Sequence, residues 1–283
     1  VPSVLEILKL SSEFLAKREV ESPRLQSELM LAHILQMPRL KLYLNFETAL
    51  DTSQVDQMRA LVRRRGQREP LQHLLGTTSF CGLEIKTTSA ALIPRPETEL
   101  LAEKAWTWLK GRSVPRFLDF GTGTGCIAIA VLKNAPESRG IALDISTSAL
   151  ALATENTESH QLSDRLDLVL GSGFEALDSA LRFDLIISNP PYIPTAEIAT
   201  LQIEVKDHDP LSALDGGADG LDFYRMLAME ATARLQPKGR LMLEFGDGQA
   251  NALSEIFLQH NWIVESVDLD YSQRERILLV TPA

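Results

Sequence analysis

Apolar residues recur at helical spacing through the first 75 positions. Leu5, Leu8, Ser12 and Leu15 share one face. Leu25, Leu29 and Ala32 form a second stripe, with Met30, Ile34 and Met37 beside it, and Val55, Met58, Leu61 and Val62 form a third. Ser22-Pro23 reads as an N-cap followed by proline at the first helical position, Pro38 as a helix stop, and Ser53 as another cap. Little strand alternation interrupts these stripes, so residues 1–75 are expected to form a small helical bundle. Between 76 and 93 the residues become β-prone around Cys81-Gly82, which predicts a hairpin linking two domains. From 116 onward, short apolar runs alternate with helical periodicity. Strands are expected at 116–120, 141–144, 166–170, 185–188 and 241–245. Helices are expected at 126–132, 146–156, 221–235 and 249–260, the third stopped at Pro237-Lys238-Gly239. Two last strands, at 262–269 and 276–280, lie close enough in sequence to pair antiparallel. Such alternation marks an α/β fold with a parallel sheet and crossover helices.

The 283 residues leave room for one large or two modest domains. Two cysteines, Cys81 and Cys126, provide neither a disulfide framework nor a zinc cluster, and Cys126 reads as a small packing residue. No apolar run approaches the ~18 residues of a membrane span. No basic segment followed by an apolar core opens the chain. A cytoplasmic protein with no metal and no membrane partner is expected. Charge is uneven: residues 1–90 carry 12 Lys+Arg against 10 Asp+Glu, and the remainder carries 16 against 28. A duplex nucleic-acid substrate would want a basic stripe in the half that bears the chemistry, so nucleic acid is disfavoured as a substrate. Arg63, Arg64, Arg65 and Arg68 form a dense basic cluster in the helical part. It reads either as a solvated face or as a docking patch for an acidic partner.

Two stretches carry candidate chemistry. Gly121-Thr122-Gly123-Thr124-Gly125 joins a strand to a helix, and Asp144 stands 21 residues past Gly123 at the end of the next strand. Glycines let the backbone approach a ligand, and an acid there binds ribose hydroxyls. A dinucleotide fingerprint is G-x-G-x-x-G, and here the third glycine comes one residue early. Asp119 adds a second carboxylate, better suited to a cationic sulfonium or amino group than to a pyrophosphate. The loop therefore favours S-adenosyl-L-methionine, with a dinucleotide site or a structural turn as the other readings.

The second stretch is Ser188-Asn189-Pro190-Pro191-Tyr192, at the end of a buried strand, where sites lie in open α/β sheets. Asn189 offers a carboxamide oxygen, the prolines hold their carbonyls stiffly, and Tyr192 offers a flat face. Together they suit a planar –NH2 group. Its hydrogens would go to the Asn189 side chain and the Pro190 carbonyl, with its lone pair aimed at an electrophile. A Pro-Pro turn closing the strand is the plainer alternative. Upstream, Ile93-Pro94-Arg95-Pro96-Glu97-Thr98-Glu99 reads as a helix lead-in or a wall of the site. Residues 193–220 exceed ordinary loop length and carry Asp207, Asp209, Asp215 and Asp219, which suggests a lid, a partly helical insertion or a solvated excursion.

In combination these features resemble the Rossmann-like methyltransferases that act on exocyclic or amide nitrogen. The closer resemblance is to the release-factor glutamine methyltransferases of the HemK type. It rests on 93–99, 119–125, 188–193 and 213–221 (Ala213-Leu214-Asp215-Gly216-Gly217-Ala218-Asp219-Gly220-Leu221), and it spans nearly the whole chain. The resemblance implies a seven-stranded methyltransferase domain at 94–283, a β-hairpin linker at 76–93 and a helical substrate-docking domain at 1–75. It implies methyl transfer from S-adenosyl-L-methionine to the side-chain amide nitrogen (N5) of the glutamine in the Gly-Gly-Gln motif of peptide chain release factors. The cofactor would then meet Gly121, Thr122, Gly123, Thr124, Gly125, Asp144 and Asn189. Substrate would meet Asn189, Pro190, Pro191 and Tyr192, with Asn189, Pro190 and Tyr192 as the catalytic set. Where many members carry an acid and a large apolar residue, this chain has Gly171-Ser172-Gly173-Phe174. That leaves backbone contacts at Gly173 and stacking by Phe174 for the adenine. A monomer is expected. Two rivals remain at this point: a nucleic-acid amino methyltransferase acting on adenine N6 or a similar group, and a non-catalytic adaptor for a translation partner.

Overall fold

Side-chain caps start the first and third helices. Ser3 and Glu6 form a capping box at Val4–Ala16, and Asp51 and Gln54 form another at Thr52–Gly66. Asp51, rather than Ser53, is therefore the cap. Pro23 does open Pro23–Ile34, but Ser22 has φ 47° and makes no side-chain cap bond. The structure, a computed structural model, describes residues 1–283. The chain divides into two compact units, Val1–Thr77 with Gln202–His208, and Thr78–Leu201 with Asp209–Ala283.

The first unit is helical, and its core holds Val4, Leu8, Leu15, Met30, Leu31, Leu42, Met58 and Val62. Two stripes are rotated from the expected ones: Leu5 and Leu25 are 40% and 42% exposed, and Ser11, Ser27 and Glu28 turn inward. A charged network accounts for the second rotation. Buried Glu28 accepts from Arg24 at 2.7 Å, from Arg39 at 2.8 Å and from the Tyr43 hydroxyl at 2.9 Å. Binary patterning assigns such a residue to the outer face; its partners allow it inside.

The arginine cluster likewise turns onto its own chain. Arg65, 4% exposed, donates to Glu204 at 2.9 Å, and Arg68 donates to both oxygens of Glu204 at 2.6 and 2.7 Å. Burial pushes the Glu204 carboxyl up, but hydrogen bonds from Arg68 and Arg65 outweigh it and bring it down to about 2. A depressed carboxylate stabilises above its unfolded value of 4.5, and that stabilisation is lost as pH falls toward about 2. Glu204→Gln is expected to cost about 2 kcal/mol in urea unfolding at neutral pH, between the values for exposed and buried pairs. The deficit should shrink as the titration moves below pH 4.5. A deficit independent of pH would contradict the ion-pair account.

Where the first unit gives way to the second lie strands β1 (Thr77–Phe80) and β2 (Leu83–Lys86). Cys81 at φ 51° and Gly82 at φ 75° make the two-residue turn between them. The main sheet contains β3 (Arg116–Phe120), β4 (Arg139–Asp144), β5 (Leu166–Leu170), β6 (Phe183–Ser188), β7 (Leu235–Glu244), β8 (Trp262–Leu269) and β9 (Glu275–Pro282). Their order is β5-β4-β3-β6-β7-β9-β8. All neighbours from β5 to β7 are parallel, and β9 pairs antiparallel with both β7 and β8. An apolar layer covers each face. The expected seven-stranded α/β sheet and its antiparallel closing pair are both present.

One element differs from expectation. The helix expected at 221–235 runs only Asp222–Glu230, and a 3-10 turn, Ala231–Arg234, follows it. Pro237-Lys238-Gly239 then lies inside β7. The β6–β7 ladder shifts register between Phe183↔Leu235 and Leu185↔Arg240, and this irregularity accommodates the proline and Lys238 at φ 67°.

Strand order places the two candidate motifs side by side. The chain steps from β3 to β4 on one side, and β6 joins β3 on the other. The glycine loop and Asn189 thus leave adjacent strand ends at the point where the winding reverses, which is where open α/β sheets bind ligands.

Candidate active site

The glycine loop is held open from behind. Gly121, Gly123 and Gly125 have φ of 75°, 56° and 81°, a left-handed run that residues with a Cβ resist. The Gly121 and Thr122 N–H groups donate to the Leu143 carbonyl at 2.8 and 3.0 Å. Asp144 accepts from Gly123 N–H at 2.8 Å with one oxygen and from Ser146 N–H at 2.9 Å with the other. Asn156, fully buried, donates to the Thr124 carbonyl at 2.9 Å and accepts from Lys86 N–H at 2.8 Å.

Asp119 does not face a ligand. It is fully buried, accepting from the Thr122 hydroxyl at 2.7 Å and from Ala128 N–H at 3.2 Å. Burial pushes it up to about 7, and these contacts make its carboxyl a brace for the loop rather than a partner for a cation. The helix Cys126–Asn134 covers that face of β3, and the Ala128 N–H belongs to this helix. Burial likewise pushes the Cys126 thiol up to about 12, consistent with a packing role.

The Asn189 turn is equally braced. The Ser188 hydroxyl donates to the Phe120 carbonyl at 2.6 Å, tying the ends of β6 and β3 together. Asn189 Nδ2 donates to Thr98 Oγ1 at 3.1 Å. The Tyr192 carbonyl accepts from Gln249 Nε2 at 2.9 Å, and burial raises the Tyr192 hydroxyl to about 12, keeping it neutral. Gly220 packs against the same carbonyl: at φ 77°, any added Cβ would lie 2.2 Å from it.

A cavity of about 320 Å³ lies between these stretches. Gly121, Thr122, Gly123, Thr124, Asp144, Asn189 and Pro191 line it, with Ile93, Arg95 and Thr98 on one wall and Gly171 and Ser172 on another. The 193–220 segment is partly helical, with turns at Thr195–Thr200, Ile203–Lys206 and Leu211–Ala213. Pro210, Ser212 and Ala213 from it reach the cavity. Arg95 donates to the buried Asp209 at 2.7 Å, joining the 93–99 lead-in to that wall.

Five expected site residues do not line the cavity: Gly125, Gly173, Phe174, Pro190 and Tyr192. Gly125 is the N-cap of Cys126–Asn134. Pro190 is buried, and Tyr192 packs its ring against an apolar layer of the sheet. Phe174 is the plainest departure. It is 3% exposed, with its ring centroid 5.2 Å from that of Phe120, so it is a core residue rather than a stacking platform. Gly171 and Ser172 stand at the cavity instead.

A release factor glutamine methyltransferase of Geobacter sulfurreducens is 44% identical to this chain over 255 residues, covering 90% of this chain and 88% of that one. The chain belongs to the release factor glutamine methyltransferase family. Members of the family from Rhodopirellula baltica and Chlorobaculum tepidum are 36% and 38% identical, each over at least 95% of both chains. Family models match as the PrmC N-terminal domain over 6–76 and the methyltransferase small domain over 97–204. A solved methyltransferase from Pyrococcus furiosus shares the fold, with a TM-score of 0.54 at 21% identity over 70% of this chain and 88% of that one. The resemblance read from the motifs thus holds across nearly the full length. No helix is long and apolar enough to cross a membrane.

Within this family member, three residues near the motifs were not singled out by the sequence reading: Asn156, Glu244 and Thr98, the last named only as part of the 93–99 stretch. Two left a signal. Asn156 shares the buried face of its helix with Ala149, Leu152 and Ala153, and Glu244 ends the otherwise apolar run 241–243. A polar residue on an apolar face is worth asking about. Thr98, in the first turn of Pro96–Leu109, has no such mark.

Proposed function

We propose that this chain transfers a methyl group from S-adenosyl-L-methionine to the side-chain amide nitrogen (N5) of the glutamine in the Gly-Gly-Gln motif of peptide chain release factors. The observation that carries the reading is Asn189 at the cavity, beside the glycine loop, with its nitrogen already engaged by Thr98. In that orientation Oδ1 is the group free to accept.

The donor set fits the cofactor. Three left-handed glycines keep side chains out of the loop, and each Asp144 oxygen retains a lone pair for a ribose hydroxyl after serving its backbone donor. Gly171 and Ser172 offer groups to the adenine. When bound, the cofactor supplies a methyl carbon made electrophilic by its sulfonium.

The remaining work falls to the chain. An amide nitrogen is a poor nucleophile because its lone pair is delocalised into the carbonyl. Asn189 Oδ1 and the Pro190 carbonyl accept the two amide hydrogens, fixing the nitrogen and its lone pair in line for transfer. Pro191 and the anchored Tyr192 keep the turn rigid. After transfer the nitrogen, now carrying the positive charge, releases one proton to water. Glu197 and Asp207, exposed on the 193–220 segment, suit a basic loop of the release factor. A translation-factor substrate and two free cysteines support a cytoplasmic enzyme on this reading.

The test uses labelled methyl donor with a purified release factor, beside the same factor with the Gly-Gly-Gln glutamine replaced. Label is expected on the first and not on the second. Label that survives the replacement, or that enters DNA or RNA instead, would overturn the reading.

A further inference from the structure

Glu244 ends β7 and is 2% exposed, and its Oε2 has no hydrogen-bond partner. β6 and β7 pair in register up to Ser188↔Leu243, so Asn189 and Glu244 are the next residues on neighbouring strand ends. Neither the glycine loop nor the methyl-transfer chemistry above requires a buried carboxyl here. Its position suggests another use.

A carboxamide fits most sites either way round, with oxygen and nitrogen exchanged. The contact from Asn189 to Thr98 Oγ1 does not choose between them, because a hydroxyl both donates and accepts. A carboxylate only accepts. We propose that Glu244 breaks this symmetry: it takes the Thr98 hydrogen, so Thr98 accepts from Asn189 Nδ2, and Asn189 Oδ1 faces the cavity. Glu244 is then a positioning residue acting through Thr98. The proposal rests on the reading of Asn189 as the acceptor for the substrate amide.

The surroundings support it. Burial pushes Glu244 up to about 7, while the neighbouring Thr98 side chain, the charge of Arg276 and the Asn189 side chain oppose the rise. The other titratable groups facing it are Glu97 on the helix Pro96–Leu109, Tyr192 in the turn and Tyr224 on the helix Asp222–Glu230. Tyr224 donates its hydroxyl to the Glu244 backbone carbonyl at 2.8 Å, which fixes the strand end without occupying the carboxyl. Both tyrosine hydroxyls are raised by burial, well clear of Glu244. Protonated Glu244 gains a hydrogen to donate, so the choice of orientation is lost below about pH 7.

Three variants and two readouts test this in the full chain. Glu244→Gln and Thr98→Val should each lower kcat for methyl transfer to the release factor about 30-fold, with the cofactor Kd changed less than about threefold. Thr98→Ser, which keeps the hydroxyl, should restore most of the rate. In wild type, kcat should rise through about pH 7, and the Glu244→Gln profile should be flat there. The second readout needs no substrate. With 15N-asparagine labelling, the side-chain amide signal of Asn189, assigned by its loss in Asn189→Ala, should shift with an inflection near 7 that Glu244→Gln abolishes. Wild-type rates in Glu244→Gln and Thr98→Val would overturn the proposal. An Asn189 signal that does not titrate, or that titrates identically in Glu244→Gln, would also overturn it. If the signal titrates as stated and no release factor is methylated, the substrate reading fails while the positioning role stands.

Discussion

Asn189→Ala lowers kcat about 100-fold, a barrier increase of ~2.7 kcal/mol, with little change in cofactor affinity. The expectation follows from where the side chain sits. Asn189 lines the cavity at the end of β6, and its Nδ2 is spent on Thr98 at 3.1 Å. In that orientation its oxygen acts on the substrate rather than on the fold. Truncation removes one of two acceptors that hold the amide nitrogen, and losing one pre-oriented polar contact to a reacting group costs on the order of 100-fold. The backbone of the turn is held independently, by Gln249 on the Tyr192 carbonyl and by Ser188 on Phe120, so the fold should survive. Steady-state kinetics with release factor, beside calorimetry with the cofactor, checks both halves. Wild-type turnover would remove Asn189 from the reaction, and an equal loss in cofactor binding would reassign it.

Asp144→Ala weakens cofactor binding about 100-fold, again ~2.7 kcal/mol at 1.4 kcal/mol per tenfold. Two losses combine. Gly123 N–H and Ser146 N–H lose their acceptors at 2.8 and 2.9 Å, so the loop loses its fixed shape. The lone pairs offered to the ribose go as well, and hydrogen bonds to a charged acceptor contribute roughly 1.5–3 kcal/mol each. Because Asp144 stands apart from the Asn189 turn, kcat at saturating cofactor should change by less than about threefold. Calorimetry with the cofactor measures the first effect. An unchanged Kd would show that Asp144 only shapes the apo loop.

What the sequence revealed follows from the range of the interactions involved. Each motif is contiguous, so its chemistry can be read from neighbouring residues, and the strands of the sheet are apolar runs bounded by turns. The partners that brace the motifs are remote. Thr98 lies 91 residues from Asn189, and only the packing of its helix, Pro96–Leu109, against β6 and β7 brings them together. Asp119 was legible in principle. Along β3 the side chains alternate, and Phe117 and Asp119 share one face while Leu118 and Phe120 share the other. That parity puts Asp119 under a helix rather than at the ligand. Phe174 was not legible, because a phenylalanine beside a glycine loop suits a stacking surface and a core equally well; contact with Phe120 decides it. Pro237 argued for a helix stop because a proline seldom sits inside a paired strand, and only the shifted ladder explains its place in β7. In the helical unit, Glu28 and Arg65 misled for one shared reason: each is a charged residue buried beside a partner distant in sequence.

The most direct measurement is a crystal structure of the chain with S-adenosylhomocysteine and a glutamine-bearing release factor. The account predicts the glutamine amide nitrogen within about 3.2 Å of both Asn189 Oδ1 and the Pro190 carbonyl oxygen, on the cavity side of the turn. An amide nitrogen bound to neither oxygen, or an Asn189 turned so that Nδ2 meets the substrate, would contradict it.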